Sequence, residues 1–232
     1  MSESLEKVAG IKHLPLFPLP LVLLPNELLP LHIFEPRYRQ MLKDVALDKN
    51  MFGVTLFNPT EDFIEKPVLG SVGCVAEVRE SQAMPDGRSN VLTIGIIRYR
   101  LIDYVEAGEP YLLGDVEFFE DEAEDENVLN PLADEVFAFF RRIAKAAHKL
   151  GGERGTFPDV QQTEPEALSF LVTAAFNLEP GLKYQLLETR STVERLKRLK
   201  EILVQTVGKM EESAEINKIA KTNGHSKKKI DI

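Results

Sequence analysis

Apolar and polar positions change their period near residue 120. Before it, apolar residues fall in short runs of strand length: Met51 to Phe57 (MFGVTLF), Val91 to Val105 (VLTIGIIRYRLIDYV) and Tyr111 to Phe119 (YLLGDVEFF). Gly70 to Glu80 (GSVGCVAEVRE) alternates, which puts Val72, Cys74, Ala76 and Val78 on one face of a strand. Leu19 to Leu24 (LPLVLL) reads as a strand punctuated by prolines, which confines it to a sheet edge or to strand ends. Pro85-Asp86-Gly87 is a turn, since proline presets φ and glycine accepts φ > 0. Short strands separated by turns predict a small barrel or closed sheet. One helix interrupts them. Pro36 suits its first position, and Tyr38, Met41, Leu42 and Val45 follow at helical spacing.

Beyond residue 120 the period is helical. Glu120 to Glu126 (EDEAEDE) holds six acids in seven residues and is expected to be a solvated linker, open to proteolysis. Asn130-Pro131 predicts an N-cap with proline at the first helical position, ahead of a stripe of Leu132, Val136, Phe139, Phe140, Ile143 and Ala147. Gly151-Gly152 is expected to end that helix. A second helix runs from about Pro165 to Asn177 with Leu168, Leu171, Val172 and Ala175 inward. Pro180-Gly181 turns the chain, and Ser191-Thr-Val-Glu194 forms a capping box before Leu196, Leu199, Ile202, Leu203 and Val207. The expected organisation is a β-rich unit over 1–119, a linker over 120–130, a helical unit over 131–210 and a disordered tail over 211–232.

Charge and composition narrow the function. Lysine and arginine number 28 against 37 acids, a net charge of −9, which argues against nucleic acid as the partner. Cys74 is the single cysteine, so neither an internal disulfide nor a cysteine-rich zinc site is expected, and a cytoplasmic or equivalent reducing compartment fits. The apolar stretch Leu14 to Phe34 is broken by Pro15, Pro18, Pro20, Pro25 and Pro30, so it does not read as a membrane span. Nor does it read as a secretory signal, because no small-residue cleavage site follows it.

Catalytic patterns are weak. His32 and Glu35 have ligand-like spacing, but Pro36 starts the helix after them and no third ligand stands at a recognisable distance. Glu35 fits the helix N-terminus instead, and Arg37 and Arg39, in the first turn, call for an acidic partner. Cys74 has no neighbouring histidine and reads as a small apolar residue. No G-x-S-x-G elbow occurs. Arg98, Tyr99 and Arg100 alternate basic and aromatic groups, which suits either base stacking or, as expected here, a solvated sheet face. Leu28 and Leu29 sit between Pro25 and Pro30 on what reads as a stiff loop. They form either an apolar catching patch, with Phe34 and Tyr38 as neighbours, or a plug for the barrel end.

The segment Leu14 to Leu42, LPLFPLPLVLLPNELLPLHIFEPRYRQML, resembles the opening signature of the substrate-recognition domain of Lon-type ATP-dependent proteases. GSVGCVAEV and NVLTIGIIRYRLIDYVEAGEPYLLGDVEFFED resemble later pieces in the same order, and KYQLLETRSTVERLKRLKEIL resembles the helical half. The resemblance runs from about Leu14 to Val207. It implies an α+β fold: an N-terminal β-barrel of the pseudouridine-synthase-and-archaeosine-transglycosylase (PUA-like) type with one inserted helix, then a C-terminal helical bundle. It also implies a non-catalytic recognition module that uses no cofactor and no metal. The implied partner is an unfolded or apolar polypeptide, or a protease or chaperone, with the site spread over the barrel, the bundle and the cleft between them. The runner-up is an RNA-associated module of the same barrel type. No G-x-x-x-x-G-K-[ST] stretch is present, so ATP hydrolysis is not expected, and peptidase activity is not expected either.

Overall fold

The computed structural model describes residues 2–57, 66–150 and 161–223. A short helix, α1 (Glu3–Val8), is followed by β1 (Leu14–Leu19), β2 (Leu28–Ile33), α2 (Pro36–Ala46), β3 (Met51–Leu56), β4 (Val72–Ala83), β5 (Ser89–Val105) and β6 (Leu112–Phe119). Four helices follow among the described residues: α3 (Glu126–Leu150), α4 (Pro165–Ala175), α5 (Pro180–Glu188) and α6 (Thr192–Asn223). The class is α+β, as the resemblance implies.

The strands form one sheet in the order β2-β5-β4-β3-β1-β6, and β6 also pairs with β5. That last pairing closes β5, β4, β3, β1 and β6 into a ring and leaves β2 outside it, on the first half of β5. The 17 residues of β5 make this possible, since β2 takes Ser89 to Ile94 and β6 takes Arg98 to Val105 along the same edge. Tyr99 fills the ring interior; its hydroxyl lies where a Cβ on Gly53 or Gly73 would stand. The turn at Pro85-Asp86-Gly87 forms as expected: the Gly87 N–H donates to Met84 O and Gly87 takes φ +81°.

The proline-broken strand differs from expectation. It is Leu14–Leu19, not Leu19 to Leu24, and it lies between β3 and β6 rather than at an edge. Each partner takes only part of it, β6 pairing with Leu14 to Leu16 and β3 with Leu16 to Leu19, so neither ladder needs an unbroken row of amides. Helix α2 lays Tyr38, Met41 and Val45 against Phe17, Phe52 and Ile33, as its periodicity predicts.

In the helical half, α3, α4, α5 and α6 bury Ala133, Val136, Phe137, Leu168, Val172, Leu186, Leu196, Leu199 and Leu203 against one another. Each such side chain contributes about 1.5–3 kcal/mol on full burial. Three inward assignments change: Ala147, Leu171 and Ala175 face solvent, and Phe137 takes a place in the core. Helix α3 starts one turn before Asn130. The Asp125 carboxylate accepts from the Asn127 N–H (2.9 Å) and caps it, so Pro131 lies inside the helix, close enough to its start to cost one backbone bond. Pro180 opens α5 instead of turning the chain. Helix α6 continues to Asn223, so its backbone is helical across 211–223, where a disordered tail is expected. Gly151-Gly152 and 224–232 lie outside the described residues.

The acidic run is not a solvated linker. Asp121 is 5% exposed and accepts hydrogen bonds from Arg98 of β5 and from Arg195 and Thr192 of α6. Glu124 accepts from the Val193 N–H (2.9 Å) and from the Ser191 hydroxyl (2.6 Å), capping α6. Ser191 Oγ in turn accepts from the Glu194 N–H (3.0 Å), which fulfils half of the expected capping box. Two buried guanidiniums and a helix N-terminus hold acids that composition alone assigns to water. The halves also meet through Val22, Leu24, Val72, Phe119, Phe170 and Leu187, and the Val72 N–H donates to the Tyr184 hydroxyl (3.0 Å).

Candidate functional site

Two concave regions stand out. One lies at the junction of the sheet with the helices, between Pro25, Asn26, Arg98, Phe119, Glu166 and Phe170. Its volume is about 170 Å³. That falls short of the roughly 300 Å³ at which ligand pockets begin. At this junction, where a cleft between barrel and bundle is expected, the cavity is small and is walled by both apolar and charged residues. Arg98, one wall of this cavity, is 1% exposed, and its terminal nitrogens donate to Asp121 and to the carbonyls of Leu187 (3.2 Å) and Thr189 (2.8 Å). Burial raises the Glu166 carboxyl above its ordinary range, although Arg98 stands 3.7 Å away.

The second region is a groove of about 600 Å³ across β2, β5 and β4. Its geometry follows from register. Leu28 pairs with Ile94, Pro30 with Leu92 and His32 with Asn90, while Leu92 pairs with Glu80 and Asn90 with Gln82. Side chains alternate across a strand, so Leu28, Pro30, His32 and, just past the strand, Phe34 share the outward face. Leu29, Leu31 and Ile33 point to the core under α2. Leu28 and Phe34 are each 58% exposed. Between them, His32 donates from Nδ1 to Asn90 Oδ1 (2.7 Å) and stacks on Phe34 at 6.1 Å. The floor has an apolar stretch at Pro30 and Leu92, with His32, the side-chain amides of Asn90 and Gln82 and the carboxylate of Glu80 beside it. Leu28 and Phe34 flank it on the outward side of β2.

The expected loop at Asn26 to Pro30 is a turn followed by a strand. The Glu27 N–H donates to Leu24 O (3.1 Å), Asn26 takes φ +64°, and the Glu27 carboxylate accepts from the Leu24 N–H (2.9 Å). The turn passes so close to β5 that a Cβ on Gly95 would stand 2.1 Å from Leu24 O. Neither sequence reading of the two leucines fits both residues. Leu28 is free on the outward face, and Leu29 packs on the core. Of their expected neighbours, Phe34 shares that outward face. Tyr38 does not: it is 5% exposed, its ring 4.2 Å from that of Phe17, and it cannot meet a partner there.

Other candidates resolve on structure. Arg98 and Tyr99 are buried, which removes both base stacking and a solvated face at this strand. Arg37 pairs with Glu35 (2.9 Å) at the start of α2, and the Arg39 guanidinium lies over Gly87 at the tip of the β4–β5 hairpin. Cys74 is buried, and loss of solvent pushes its thiol far above the ordinary range. Among the described residues, no three histidine, cysteine or carboxylate side chains stand together as a metal site, and no helix is long and apolar enough to cross a membrane.

Known proteins share this architecture. The sequence profile of the ATP-dependent protease La (LON) substrate-binding domain matches residues 13–205. A Lon N-terminal domain protein from Xanthomonas campestris superposes with a TM-score of 0.58 at 22% identity, over 81% of this chain and 96% of that one. The N-terminal domain of the Mycobacterium avium complex Lon protease gives 0.60 at 18% identity, over 83% and 98%. The Lon protease of Brevibacillus choshinensis is 28% identical over 200 residues, which are 84% of this chain and 25% of that protein. Lon protease 1 of Thermus thermophilus is 31% identical over 177 residues, 75% and 22%. The chain spans about a quarter of the curated relatives it matches. With the profile covering most of its length, the chain belongs to the Lon substrate-binding domain family.

Proposed function

We propose that this chain is a non-catalytic recognition module that binds exposed apolar segments of polypeptides in the groove across β2, β5 and β4. The observation that carries this reading is the pair Leu28 and Phe34, each 58% exposed, at the two ends of one outward strand face. Scattered apolar residues are common on a protein surface, but Leu28 and Phe34 share one outward side with Pro30 between them, and apolar groups gathered on one face suit a partner. The strand holds them in place, so little freedom is lost when a partner docks. Family membership supports polypeptide recognition in general, and the groove supports apolar segments in particular. RNA gains no support, because the basic-aromatic strand that suggested it is buried and the net charge is −9.

Binding of reduced, carboxymethylated α-lactalbumin, set against the native protein, tests the proposal. The unfolded form should bind and the native form should not. Leu28→Ser with Phe34→Ser should weaken binding by about tenfold or more, since each lost apolar contact is worth on the order of 1 kcal/mol. Equal binding of both forms, or no effect of the double replacement, removes this face as the site.

A further inference from the structure

Among the described residues the sheet has two open edges, and they differ in one respect. The Gly95 N–H donates to Glu27 O, and Thr93 Oγ1 donates to Leu29 O, so odd-numbered residues of β2 turn their backbone groups toward β5. Leu28, Pro30 and His32 then turn theirs outward. Proline has no N–H, so Pro30 blunts the middle of that edge. The other edge is the far half of β4. The Val78 N–H donates to Asn50 O, and there β3 ends: Asn50 takes φ +57° and turns the chain away. The hairpin beyond is set by Met84, whose N–H donates to Arg88 O, so Gln82 and Glu80 turn toward β5 and Ser81 and Ala83 turn outward. Arg79 to Ala83 are all exposed, and no proline interrupts them. Two N–H donors and two carbonyl acceptors are presented there, and among the described residues none pairs with them.

We propose that an extended polypeptide segment adds as a strand to β4 at Arg79 to Ala83, continuing the line of β3, with a basic residue facing Glu80. The inference rests on the reading of this chain as a polypeptide-binding module and names how the backbone of the client is held. The edge offers backbone groups, so its complement is another backbone in extended form, whatever its side chains. Ser81 and Ala83 are small and leave room beside them. Glu80 stands on the groove side, forms no ion pair among the described residues, and favours an opposing lysine or arginine. The same residues, Glu80, Ser81 and Gln82, line the groove, so a strand here borders the apolar floor. A second copy is the poorer occupant, because each copy carries a net charge of −9.

The test uses the intact chain, a short peptide of alternating valine and lysine, and the same peptide with alternate backbone amides methylated. Ser81→Pro removes one outward N–H and leaves the β4–β5 ladder intact, and Ala83→Pro does the same at the second position. The plain peptide should bind, and the methylated peptide should bind about tenfold more weakly, as should the plain peptide to either proline variant at unchanged melting temperature. Should one variant fail to fold, the other and the methylated peptide still decide. Equal affinity for the two peptides, or full affinity in a folded proline variant, overturns the inference. So does a dimer of the wild type, seen by sedimentation equilibrium, that Ser81→Pro abolishes. If the chain binds unfolded α-lactalbumin but not the peptide, strand addition fails while polypeptide recognition stands. If it binds neither, polypeptide recognition itself has failed.

Discussion

Arg195 grips Asp121 with both terminal nitrogens, Nη1 standing 3.2 Å from Oδ1 and Nη2 bonding Oδ2. Arg98 takes Oδ1 from the other side, so this carboxylate is shared by two guanidiniums that are each at most 1% exposed, and Glu166 stands 3.7 Å from Arg98. Arg98 lies on the sheet and Arg195 on α6, which makes Asp121 the polar pin of the joint between the halves. Removing one partner of a buried pair costs about 3–5 kcal/mol, because the opposite charge stays behind without water. Asp121→Ala should therefore lower the unfolding free energy by roughly that much, read as a shift of the urea midpoint. The wild-type run 120–125 should resist limited proteolysis, and the variant should be cut there.

Much of this was legible in the sequence, and the exceptions share a cause. Helix α2 and the apolar stripe of α6 follow from period, and β3 to β6 from short apolar or alternating runs bounded by turns, because these signals are local. The acidic run misleads because its meaning depends on Arg98, 23 residues upstream of Asp121, and Arg195, 74 residues downstream. Local composition is blind to such partners. Pro30 misleads in the opposite way: it reads as the end of a loop, yet it is tolerated inside β2 because its missing N–H faces an open edge. The outward face was half legible. Leu28 and Phe34 stood out as apolar residues in a turn-rich segment, but which of the two adjacent leucines faces water depends on the register with β5, which no single strand reveals.

Glu166 gives a prediction in pH. Burial raises its carboxyl above the ordinary value, with Asp121 adding to the effect and Arg98 and Arg195 opposing it. A raised carboxyl favours folding when protonated, so its contribution is full below the unfolded value and is lost as pH rises through the folded one. At neutral pH the ionised group therefore works against the fold. Glu166→Gln should raise the melting temperature at pH 7, and the gain should vanish below the ordinary carboxylate range. A loss at pH 7 would mean that its attraction to Arg98 outweighs burial.

Pro30 is predicted to protect the β2 edge. Pro30→Val restores an outward N–H between Leu28 and His32 and adds a β-branched side chain suited to a strand. The β2–β5 ladder does not use that amide, so the melting temperature should hold. Light scattering at raised concentration should show the variant self-associating where the wild type stays dispersed.

Leu28 and Leu29 separate binding from architecture within one dipeptide. Their side chains leave opposite faces of β2. Leu28 is open to water above the groove, and Leu29 packs against the core that holds Ile33, Tyr38 and Val91. Leu28→Ser removes no core contact, so the urea midpoint should stay within about 0.5 kcal/mol of wild type. Affinity for unfolded α-lactalbumin should fall several-fold, by the loss of about 1 kcal/mol of apolar contact. Leu29→Ser leaves a partial cavity and brings a hydroxyl against an apolar wall, which should cost about 2 kcal/mol of stability. Its affinity, measured well below its own melting temperature, should hold, because the groove-side residues keep their places. The two variants should therefore move different observables. If Leu29→Ser instead loses affinity while keeping its stability, the binding face lies on the α2 side of β2, and the groove across β5 and β4 is not the client site.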